Sequence, residues 1–204
     1  MKAARLITLL GTSALLVACS DEGTGPSDTL TRGEALVIAQ AVANRGAQAV
    51  NTTSSGNLAD HPPTALSPTL FTQEHDSTHP CPAGGAVQLH WTVDGQVDEE
   101  LGELVIDLEG RQTHHACAYP HEGVTITVDG DPDLEFDAHF AAKNQLPSEP
   151  FTTNVSGAIR WATSDGRTGT CEVTVSTLTD FAAKRHTLHA AVCGHTVDET
   201  TTWS

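Results

Sequence analysis

Positive charge is scarce in this chain: 10 Lys and Arg stand against 26 Asp and Glu, a formal net charge of −16. So acidic a surface repels nucleic acid and anionic head groups, which excludes nucleic-acid binding. After residue 17 no apolar run reaches membrane-spanning length. No cysteines are spaced C-x-x-C, so neither a thioredoxin-like redox pair nor a zinc knuckle is indicated. A nucleophile elbow, a phosphate-cradling glycine loop and a dinucleotide fingerprint are also missing. The residues therefore nominate no catalytic side chain, no metal ligand set and no cofactor, and the chain reads as non-catalytic.

What is present begins at the N-terminus. Lys2 and Arg5 precede an apolar stretch, Leu6 to Val17, too short for a permanent membrane helix, which reads as a secretory signal. Its end, Leu16-Val17-Ala18-Cys19, resembles the lipobox of bacterial lipoproteins. The resemblance implies removal of residues 1–18, lipid on Cys19 and a membrane partner reached through that lipid. Ser20, where many such proteins carry an Asp that retains them at the inner membrane, resembles outer-membrane sorting. The expected location is the outer membrane, facing the periplasm or the cell surface.

Residues 19–30 are polar and rich in Gly, Ser and Asp, and read as a flexible tether. A helix is predicted over 31–50: Thr31 and Glu34 have capping-box spacing, and Ala35, Ile38, Ala39, Val42, Gly46 and Ala49 share one face. Residues 51–68, with Ser, Thr, Asn and His61-Pro62-Pro63, read as a linker. From about Thr69 to the end, 69–204, the period falls to 2, as in Val87, Leu89, Trp91 and Val93. The expected fold is mainly β: an antiparallel meander of about eight or nine strands, curved or barrel-like or folded as a sandwich, with the helix packed on its apolar face.

Four cysteines remain beyond Cys19, and in an exported chain an even number reads as disulfides. The hairpin from Gly157 to Val175 can be placed in register. A three-residue loop Ser164-Asp165-Gly166 sets Trp161 across from Gly169 and Ile159 across from Cys171, with both apolar faces inward. The next hairpin brings Cys171 to Cys193. By the same symmetry Cys81 meets Cys117, but the parity differs there, so a bulge is required at Gly84-Gly85 or Gly110.

Eleven histidines invite a metal reading. His75 and His79 have the spacing of a helical zinc pair, although Pro80 and Pro82 follow at once. His114, His115 and His121 form one group and His186, His189 and His195 another. On a strand, His114 and His115 must point to opposite faces. Asp129-Gly130-Asp131-Pro132-Asp133-Leu134-Glu135 alternates carboxylates as a calcium loop does, but a Pro/Gly-containing hairpin turn with solvated acids on the outer face is the expected reading. The stronger expectation is a tethered lipoprotein with a binding or structural domain, its ligand an envelope protein or a small molecule. The alternative is a divalent-metal-binding envelope protein with hydrolytic chemistry.

Overall fold

The computed structural model describes residues 29–55 and 68–204. Leu16 to Cys19, residues 20–28 of the expected tether and residues 56–67 of the expected linker lie outside them. One helix, α1 (Arg32–Ser55), precedes β1 (Thr69–Pro80), β2 (Ala86–Asp98), β3 (Glu103–His115), β4 (Cys117–His121) and β5 (Val124–Lys143). Then come β6 (Leu146–Pro147), β7 (Phe151–Thr163), β8 (Thr168–Asp180), β9 (Arg185–Val192) and β10 (His195–Thr202). All strands belong to one antiparallel sheet in the order β1-β2-β3-β5-β7-β8-β9-β10, with the short β4 and β6 paired to β5. The edges β1 and β10 do not pair, so the sheet is open and no barrel closes.

α1 starts where the capping box places it. The Thr31 amide donates to Glu34 Oε2 at 2.7 Å, and the Glu34 amide to Thr31 Oγ1 at 3.2 Å. Ala35, Ile38, Ala39, Val42 and Ala49 are buried against the sheet, as their spacing requires. A buried Ile contributes roughly 2–3 kcal/mol. The small residues let the backbone lie close, and Gly46 meets the Thr153 methyl. The helix ends at Ser55 rather than Val50, so residues 51–55 of the expected linker are helical. A helix already nucleated and packed upstream propagates at little cost, even through Asn, Thr and Ser.

The β7–β8 hairpin has the expected register: Ile159 pairs with Cys171 and Trp161 with Gly169, around a loop in which Gly166 takes φ +96°. The Trp161 indole fills the space above Gly169, where a Cβ would come within 2.7 Å of the ring. Cys81 lies opposite Cys117 (Cα–Cα 5.5 Å) and Cys171 opposite Cys193 (4.9 Å), both at disulfide distance. The parity change falls at Gly84 and Gly85, both at positive φ, with Ala116 (φ +45°) as its counterpart across the pair. Gly110 continues the regular ladder, between Trp91 and Phe136.

A second local expectation is corrected. Asp129 to Glu135 is no hairpin turn: β5 continues through it, with a register shift between Gly130 and Leu134. Two of its acids are tied into the sheet rather than solvated at a turn. Asp129 accepts the Ala116 amide at 2.6 Å, and Asp133 accepts the Thr113 hydroxyl at 2.6 Å. The extra residues are absorbed as a bulge, which bends β5 so that β4 pairs with its first half and β3 with its second.

Candidate functional site

The buried polar groups hold the helix to the sheet. Arg167, from the end of the β7–β8 loop, reaches Glu34 through both terminal nitrogens at 2.5 and 2.9 Å, and also bonds Asp165 and the Thr29 carbonyl. This guanidinium holds the Glu34 and Asp165 carboxyls below their usual range, and the two carboxylates in turn raise the guanidinium. Farther along the helix, Gln112 donates to the Val42 carbonyl at 3.3 Å. His114, beside Gln112, is 2% exposed, and burial, with Arg45 adding to it, pushes its imidazole down to about 4. Burial also pushes the Tyr119 hydroxyl, which bonds Cys117 Sγ, up to about 12. Sequence reasoning missed Glu34–Arg167 because a cap residue and a turn residue carry no sign of meeting.

The histidines are dispersed. β1 being a strand, His75 and His79 stand four residues apart along it, roughly 13 Å at strand rise, so they cannot share an ion as a helical pair would. His75 instead stacks on Trp91 at 5.2 Å. His114 is buried and His115 exposed, on opposite faces, while His121 packs against Gly33 of α1. His195 donates to the Leu30 carbonyl at 2.7 Å and His186 bonds Thr179 at 2.9 Å, whereas His189 faces away from the helix. Among the described residues no three His, Cys, Asp or Glu side chains converge on a point that could hold a metal ion.

The face away from the helix has a different character. Three histidines there pair directly with an aspartate on the neighbouring strand: His90 with Asp76 at 2.8 Å, His139 with Asp107 at 2.7 Å and His189 with Asp198 at 2.5 Å. At its centre a groove of about 610 Å³ runs over Gly110 and Phe136. It is built from two adjacent cross-strand rows: His90, Arg111, Glu135 and Ser156, then Thr92, Glu109 and Asp137. Glu109 stands directly across from Asp137, and Asp94 directly across from Asp107. Like charges in facing positions weaken a sheet. Asp137 is partly relieved by Asn154, whose amide donates to it at 2.8 Å. A smaller cavity of about 240 Å³ opens between α1 and β7–β10, floored by Phe151 and Leu188 and edged by Asn44, His186 and Glu199.

The outer groove thus sets carboxylates beside one guanidinium and one imidazole on the middle strands of the sheet, an arrangement that can hydrogen-bond and pair with a polar ligand carrying positive charge. Comparison with protein-family models, with curated proteins and with solved structures finds no match to this chain.

Proposed function

We propose that this chain is an outer-membrane lipoprotein, anchored through Cys19, whose β domain is a non-catalytic binding module. Its binding face is the groove over Gly110, and its ligand is a polar, amine-bearing envelope component. The observation that carries the reading is the facing pair Glu109 and Asp137 beside Glu135 and Arg111. A sheet that keeps two like charges opposite each other at its centre gives up local stability there, and such departures concentrate at functional sites. The lipobox and the acidic composition support display in an envelope, with the anchor upstream of Thr29.

Two measurements test it. Mass spectrometry of the chain from native membranes should find an acylated N-terminal Cys19; an unmodified Cys19 in a soluble fraction would overturn the anchor. Sedimentation of the purified chain with isolated envelopes should show binding that Glu135→Gln/Asp137→Asn weakens and Glu172→Gln, away from the groove, does not. Equal binding by both variants would remove the groove from the reading. A stoichiometric divalent metal, or a melting shift of several degrees reversed by EDTA, would replace the non-catalytic reading with a metal-dependent one.

A further inference from the structure

Among the described residues five large apolar side chains stand exposed: Leu70 (75%), Leu101 (53%), Leu146 (69%), Phe181 (45%) and Trp203 (41%). The topology puts all five at one rim of the sheet. Leu70 pairs with Gln96 at the end of β2, Leu101 sits in the β2–β3 turn, and Leu146 follows the β5–β6 turn. These last two turns touch, the Asn144 amide donating to the Gly102 carbonyl at 2.7 Å. Phe181 lies in the β8–β9 turn, and Trp203 is held beside that turn by a hydrogen bond from its backbone N–H to the Lys184 carbonyl at 3.2 Å. The disulfides, the β7–β8 loop and Thr29 are at the opposite rim.

Charge divides this apolar rim into two corners. Glu99 and Glu100 are exposed beside Leu101, and Lys184 and Arg185 are exposed beside Phe181 and Trp203. None of the four makes an ion pair among the described residues. Lys184 and Arg185 are thus unpaired cations in a chain with few of them, and the matching unpaired acids lie at the other end of the same rim. A surface with complementary corners is suited to its own copy, because a two-fold axis lays each corner of one molecule on the opposite corner of the next.

We propose that this rim is a homodimer interface, in which the Leu101–Glu99–Glu100 corner of one copy meets the Phe181–Lys184–Arg185–Trp203 corner of the other. Leucines then pack on aromatics in the middle, and the ion pairs fix the register. An anionic bilayer fits less well, because the acidic corner would be driven from its head groups.

The test treats an equal mixture of isotope-labelled and unlabelled full-length chain with a zero-length carbodiimide. An amide between Lys184 and Glu99 or Glu100 should appear between labelled and unlabelled copies. Lys184→Glu/Arg185→Glu should lower the cross-linked dimer about tenfold, and adding Glu99→Lys/Glu100→Lys should restore it through the exchanged positions. Absence of a mixed amide, or a dimer undiminished by Lys184→Glu/Arg185→Glu, would overturn the interface. So would quenching of tryptophan emission by brominated lipid vesicles, since Trp91 and Trp161 are buried and Trp203 would then lie in the bilayer.

Discussion

Glu34 and Arg167 are 133 residues apart in sequence and form the one ion pair between helix and sheet among the described residues. Glu34→Gln keeps the capping geometry but leaves Arg167 with one carboxylate, the half-exposed Asp165, and the neutral Thr29 carbonyl. The expected cost is about 3 kcal/mol, the lower end for an orphaned buried charge. Urea unfolding at neutral pH measures it, and Glu34→Gln/Arg167→Met together should cost less than the two single changes added. His114 carries a second prediction. Its folded-state pKa, about 4, lies below the ordinary 6.5, so the folded protein favours the neutral ring. That contribution is fully present above pH 6.5 and is lost as pH falls towards 4, by roughly 3 kcal/mol in all. Glu34, depressed by Arg167, adds a loss in the same direction only below its usual range. Stability measured from pH 7 to pH 4 should therefore fall in the wild type, and His114→Gln should reduce the slope above pH 4.5, leaving the part that His79, also lowered by burial, contributes.

At the scale of elements, the contact of α1 with the sheet depends on small residues. In an isolated helix Gly46→Ala would gain about 1 kcal/mol. Here the added Cβ would lie 2.7 Å from Thr153 Cγ2, on a stiff β-branched side chain that is itself buried. The clash should outweigh the propensity, and thermal melts should show Gly46→Ala destabilised by about 1–2 kcal/mol. Thr153→Ser, which removes that methyl, should recover most of the loss in the double variant. The strands show the same dependence on single residues. Gly169 is required because Trp161 occupies its side-chain space, and the alternation of Ile159 and Trp161 is what made that register readable in advance. β10 was not readable in this way. Val197 is its one buried apolar residue, and a row of exposed Thr and Glu carries no inward period.

For the molecule as a whole, an open sheet with two unpaired edges relies on staples at one end. The bridges span 36 and 22 residues. On the chain-entropy model each stabilises the fold by about 3–4 kcal/mol. Cys81→Ala/Cys117→Ala and Cys171→Ala/Cys193→Ala should each lower stability by about that amount, with the first pair costing slightly more. Equal melting temperatures in oxidised and reduced protein would show that the staples do not act this way. Both staples lie at the rim of the helix N-terminus, which leaves the opposite rim free to present its apolar tips.

Local and periodic features were legible in the residues themselves. The capping box, the small-sided helical stripe, the alternation from Val87 onward and the three-residue loop at Asp165 each act within a few residues of chain, so spacing alone determines them. The cysteine pairing followed from hairpin symmetry, because adjacent strands inherit register from the turn between them. What lay beyond reach were the encounters between residues distant in sequence: Arg167 on Glu34, Asp129 and Asp133 bonded into β3 and its end, Glu109 facing Asp137, and five apolar tips gathered on one rim. The strand path that creates those encounters depends on where β5 bends and on the summed packing of strands far apart in the chain. Neither is written in any single stretch, and so the tertiary structure alone decided which charged residues stand together.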